Sequence, residues 1–150
     1  MGFDGTERTG SLVVHADQGA AVAIAFELMW DAGFPVERMQ LVDDFGGDDD
    51  ASMAANNTSA FNCRRVAGSA SWSQHSYGRA VDINPVQNPY VAGSTVSPPA
   101  GRAYLDRGNV RTGMIVQGDW VVRAFGIVGW GWGGAWSSAK DYQHFSSTGR

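Results

Sequence analysis

Only two segments of the chain carry a dense set of chemically useful side chains. The first is Ser73-Gln74-His75-Ser76-Tyr77-Gly78-Arg79-Ala80-Val81-Asp82. The second is Trp130-Gly131-Trp132-Gly133-Gly134-Ala135-Trp136, running on to Asp141-Tyr142-Gln143-His144-Phe145. His75, Asp82 and His144 together offer two neutral imidazoles and one carboxylate, and a catalytic zinc takes three such ligands while keeping a further position open for water. Asp82 stands seven residues after His75, enough for the chain to turn through Gly78 and return on a strand so that both side chains meet one ion. His144 would then bond the metal from a distant part of the chain, making the ion a clasp between its two halves. The plain alternative is a surface histidine at His75 and a turn or cap residue at Asp82. Their joint occurrence with His144 favours the metal.

The spacing S-x-H-x-x-G-x-A-x-D, standing here as Ser73, His75, Gly78, Ala80 and Asp82, is followed far downstream by Asp141 and His144. In this order the motifs resemble those of the zinc D-alanyl-D-alanine carboxypeptidases and L-alanyl-D-glutamate endopeptidases of the VanY-like group. The resemblance extends to residues 56–64 and 132–136, and covers the chain from about residue 10 onward. It implies a Zn2+ cofactor held by His75, Asp82 and His144, and hydrolysis of a peptide bond in the stem peptides of bacterial peptidoglycan. It also implies that Asp141 is the general base and that Arg64 stabilises the oxyanion, with Ser73 close to the substrate. Relatives carry either Asp or Glu at the position of Asp141. Arg65 adjoins Arg64, but neighbours on an extended chain point to opposite faces, which leaves one of them for the site. Among Trp130, Trp132 and Trp136 one is expected to line the substrate groove, with Trp136 as the candidate.

Each role has a structural alternative. Asp141 could orient a histidine from behind the metal, Arg64 could pair with a nearby aspartate, and all three tryptophans could be core. His15 matches no motif and is expected to be structural. At the level of the whole chain, a peptidase competes with a non-catalytic zinc-bearing cell-wall-binding module on the same fold, and with a domain whose metal is purely structural. The resemblance leaves open whether the terminal D-Ala is removed or L-Ala is split from D-Glu. The loop at 88–106 and the turn at 130–136 would shape that difference.

Bulk properties restrict the rest. A chain of 150 residues suits one domain spanning 1–150, expected to act as a monomer. Its formal charge of -4 speaks against a nucleic-acid partner, which calls for a basic patch. The single cysteine, Cys63, can form no internal disulfide and no cysteine-based zinc site, which throws any metal onto His and carboxylate. The longest apolar stretch, 20–26, falls far short of the ~20 residues that span a bilayer. The first residues show neither a charged n-region nor an apolar h-region. Action at the cell wall would therefore need release by lysis, as by a phage, or an export segment outside this sequence.

The elements that must position the two motifs follow from pattern. Residues 11–15 are β-branched and predict a strand; a helix follows from Asp17 as N-cap, with Ala20, Ala23, Ile24, Phe26, Met29 and Trp30 as its apolar face and a stop at Gly33-Phe34-Pro35. Residues 39–42 predict a second strand, and 43–50, with two glycines and five aspartates, a solvated loop without the spaced ligands of a calcium loop. A short helix is expected at 51–56, an extended run at 59–64, a loop at 68–73, and a buried strand at 80–84. Residues 88–101, rich in proline, are expected to be irregular. Asp119 should cap a helix at 120–127, and a last strand should run near His144. Helices mixed with short strands, without βαβ alternation, make an α+β fold with a central, mostly antiparallel sheet, flanking helices and a long loop around the metal site.

Overall fold

A computed structural model describes residues 1–66 and 68–150. It is an α+β fold in which short, mostly antiparallel strands are shared among three small sheets. Residues 11–15 are extended, with Leu12 and Val14 turned inward and Ser11, Val13 and His15 exposed. They form no strand, because their backbone bonds go to three different segments: Ser11 N–H to Met39 O, Phe61 N–H to Val13 O, and His15 N–H to Gly78 O.

Helix α1, Gly19–Asp31, is preceded by a 3-10 turn, Ala16–Gln18. Asp17 lies within that turn rather than capping the helix, and its carboxylate pairs with Arg79. Val22, Ala25 and Met29 are buried and Phe26 is partly so, the i, i+3, i+4, i+7 spacing of one helical face. Ala20, Ala23, Ile24 and Trp30 are exposed, so the packed stripe is rotated from the one expected. α1 lies against α3, Trp120–Ile127, and that contact selects the stripe. The helix ends as expected at Gly33, whose φ of +68° suits glycine, with Phe34 N–H bonding Met29 O. At α3, Asp119 caps Val122 N–H at 2.9 Å and also accepts from Val116 N–H at 2.8 Å.

The expected second strand is limited to β1, Arg38–Met39, which pairs in parallel with β2, Asn57–Thr58. Asn57 prolongs that ladder through its side-chain amide, accepting from Gln40 N–H and donating to Gln40 O. The aspartate-rich stretch is more ordered than a solvated loop. A 3-10 turn takes Val42–Phe45, and Asp48 caps α2, Asp49–Ala54, where carboxylates meet free N–H groups.

β3 (Ala80–Asp82), β6 (Gly131–Trp132) and β8 (His144–Ser146) form one antiparallel sheet in the order β3-β8-β6. β4 (Tyr90–Ala92), β5 (Thr95–Ser97) and β7 (Lys140–Asp141) form another, in the order β5-β4-β7. The stretch 88–101 thus holds a hairpin where irregular chain was expected. Its prolines, Pro89, Pro98 and Pro99, fall outside the paired residues, and Gly93, at φ +57°, makes the tight turn. Beneath β8 the core is aromatic: Phe145 stacks on Phe125 with ring centroids 4.3 Å apart, and Trp130, Val81, Ile83 and Ile115 complete it.

Candidate metal centre and active site

His75 sits in a 3-10 turn, Gln74–Tyr77, opened by Ser73, whose Oγ accepts from His75 N–H at 3.3 Å. Gly78 closes the turn at φ +62°, and a Cβ there would lie 2.5 Å from His15 N. Only glycine meets both demands, so the chain turns back and enters β3. The β3–β8 register then sets Asp82 directly opposite His144. His75, Asp82 and His144 are all buried and converge.

The hydrogen bonds identify the ring atoms. His75 Nδ1 lies 2.6 Å from Ala60 O, a partner that requires the proton on Nδ1 and leaves Nε2 with its lone pair. That Nε2 is 3.1 Å from Asp82 Oδ2 and 3.2 Å from His144 Nδ1, which is itself 3.1 Å from Asp82 Oδ1. On its other side, His144 Nε2 faces Arg150 O at 3.4 Å. A lone pair directed at a carboxylate is repulsive unless a proton or a metal cation lies between them. The 3.2 Å between the two ring nitrogens is close to the ~3.3 Å edge of a tetrahedron around an ion with zinc-like bonds, and with one oxygen of Asp82 the three donor atoms lie within 4.8 Å of one another. The donor set therefore fits a divalent metal, bound through His75 Nε2, His144 Nδ1 and Asp82. Burial works to raise the Asp82 carboxyl, but in the metal-free site imidazoles that carry a proton on the nitrogen facing Asp82 hold it far below the usual range. Burial works to lower His144, and its bond and charge contact with Asp82 more than offset this, so it is raised.

Asp141 comes from β7, opposite Tyr90, with Gly133 packed against its backbone. The residue is half-buried, yet its Oδ1 is shut off from solvent and has no partner among the described residues. Burial raises this carboxyl to about 7; His144 opposes the shift and the Asp82 charge adds to it. A proton acceptor near neutrality beside such a donor group is suited to general acid–base work.

The remaining candidates separate clearly. Arg64 is partly buried and in ionic contact with Asp49, Nε to Oδ2 at 2.8 Å, without an aligned N–H···O bond. Arg65 turns away, its guanidinium lying over Trp72 at 4.6 Å. Ser73 is buried and engaged in capping the turn that carries His75. Trp136 is half-buried with its ring 5.5 Å from that of His144, and its indole N–H donates to Gly149 O. Trp130 and Trp132 are buried in the core, their N–H groups bonded to Gln18 Oε1 and Tyr142 O.

Three groups near the site escaped sequence reasoning. Ala60 contributes a backbone carbonyl, which no side-chain motif can signal. Ser76 accepts from Arg64 N–H at 2.9 Å and donates to Arg64 O at 2.6 Å, tying the Arg64 segment to the His75 turn. Asp49 was hidden in an acidic run; burial raises its carboxyl while the Arg64 charge opposes this. The Asp48 cap three residues before Ala51 was the available sign that a helix starts there.

A sequence model of the family described as D-alanyl-D-alanine carboxypeptidase matches residues 67–147, more than half of the chain. The matched range holds His75, Asp82, Asp141 and His144, and begins after Asp49 and Arg64. No curated protein and no solved structure matches the chain.

Proposed function

The chain belongs to the D-alanyl-D-alanine carboxypeptidase family, and on that premise we propose that it is a zinc peptidase hydrolysing a peptide bond in peptidoglycan stem peptides at the bacterial cell wall. The observation that carries this reading is the buried convergence of His75, Asp82 and His144, whose donor atoms lie close enough together to share one metal ion. Bound there, zinc would supply Lewis-acid polarisation of the scissile carbonyl and a lowered pKa for water.

The chain's own residues supply the remainder. The His75 ring is oriented by Ala60 O, and the β3–β8 register places His144 opposite Asp82, so the donors are brought together by the fold itself. Asp141 takes the proton from the attacking water as the bond to the carbonyl carbon forms. It then returns that proton to the departing amine nitrogen as the peptide bond breaks. The terminal amino groups of Arg64 donate to the carbonyl oxygen as it gains negative charge, a contact strongest in the transition state. Trp136 forms an apolar wall beside His144 that shields these charges from water.

The test is mass spectrometry of stem pentapeptides incubated with the zinc-loaded protein, with and without a strong chelator. Cleavage by the wild type, abolished by chelator and by Asp141→Ala, is the expected result, and the product masses name the bond. Intact peptides beside a protein that holds one zinc would overturn the enzyme reading in favour of a zinc-bearing wall-binding module.

A further inference from the structure

Asp49 is one of five aspartates between residues 43 and 50, but its carboxylate is turned inward, with one oxygen hydrogen-bonded and the other in ionic contact. Oδ2 meets Arg64 Nε at 2.8 Å, and Oδ1 accepts from Asn62 Nδ2 at 2.8 Å. The helix behind it does not require that carboxylate, because Asp48 provides the cap. Asn62, in turn, is tied to the candidate metal site, its N–H bonding His75 O at 3.2 Å.

We propose that Asp49 is a positioning residue, which grips the Arg64 guanidinium by its Nε edge and aims its terminal amino groups at the substrate carbonyl. The inference rests on the peptidase reading above. The Arg64 main chain is already fixed on both its N–H and C=O by Ser76, which leaves only the long side chain to be directed. A guanidinium is a planar fork, and an ionic contact along one edge biases the rotation of the whole plane. Neither terminal amino group of Arg64 makes a hydrogen bond among the described residues, so that end is available to a ligand. Without Asp49 the arginine keeps its charge but samples many rotamers, which weakens a contact needed only as charge develops.

The experiment uses the full zinc-loaded chain and the stem peptide that the wild type cleaves. Asp49→Asn is expected to lower kcat by about 10- to 100-fold, the usual effect of losing a group that orients an active residue from behind, with KM and zinc content little changed. Asp49→Glu recovers part of the loss, and in an Arg64→Ala background Asp49→Asn has no further effect. A loss of unchanged size in that background, or a wild-type kcat for Asp49→Asn, overturns the proposal. Should Asp49→Asn not fold, Asn62→Ala frees the other carboxylate oxygen and carries the same expected signature. If the wild type cleaves no stem peptide, the peptidase reading falls, and side-chain NMR of Arg64 decides the positioning claim separately. An Nε–H signal lost to water exchange in Asp49→Asn upholds it; an unchanged signal overturns it.

Discussion

Asp141 and Asp82 are carboxylates beside the same two histidines, yet their environments drive them in opposite directions. Asp82 is held between His75 Nε2 and His144 Nδ1 and stays ionised; Asp141 is buried with a partnerless oxygen and rises to about 7. The metal-free protein should register this difference as pH-dependent stability. Because the Asp141 carboxyl is raised from 3.8 on folding, it contributes stability that is complete below about pH 4 and is lost as pH rises through about 7. His144, also raised, acts in the same sense, whereas the lowered Asp82 is constant across this window. Thermal melts of the chelated protein from pH 5 to 8 should therefore show a falling Tm. Asp141→Asn should flatten that fall, the gain at pH 8 being on the order of 4 kcal/mol. A parallel decline in both proteins would show that the Asp141 carboxyl is not perturbed.

Glycines decide how closely the elements approach one another. Gly133 abuts β7, and a Cβ there would lie 2.7 Å from Asp141 O and 2.8 Å from Asp141 Cβ. Neither neighbour is the end of a flexible side chain, so the backbone itself must move. Gly133→Ala should destabilise the fold by about 1–3 kcal/mol and depress kcat through the displaced Asp141. Gly126 in α3 is the opposite case, since a Cβ there meets nothing within 4 Å. Gly126→Ala should stabilise by about 0.5–1 kcal/mol by restricting the unfolded chain, with activity unchanged. Urea midpoints for the two variants check both signs, and equal midpoints would contradict the packing described for Gly133.

Viewed as a whole, the molecule closes on the candidate metal site from two distant parts of the sequence. The His75 turn and β3 come from the middle of the chain, β8 and its neighbours from the end, and the β3–β8 ladder joins them above the Phe125–Phe145 stack. An ion at that seam binds only the folded state, so its affinity adds to stability by mass action, about 4 kcal/mol at a thousandfold excess over Kd. Chelation should lower the Tm markedly, and zinc should restore it in proportion to the logarithm of its concentration. A Tm indifferent to both would mean that the three donors do not hold the ion in the native fold.

Some of this was written in the residues themselves. Imidazole and carboxylate chemistry belongs to the side chain wherever it stands, so His75, Asp82 and His144 could be put forward as one donor set from type and spacing, and they do converge. The Asp119 cap and the stop at Gly33 are local for a similar reason, each depending on neighbours a few positions away. Other features depend on partners remote in sequence. The buried stripe of α1 was selected by α3, and the hairpin within 88–101 is completed by β7. Which nitrogen of His75 carries the proton was settled by Ala60 O, and the inward turn of Asp49 by Arg64 and Asn62. Segments that pair with a distant strand or carbonyl carry no local signature, because the free energy that orders them lies in the contact and not in the segment.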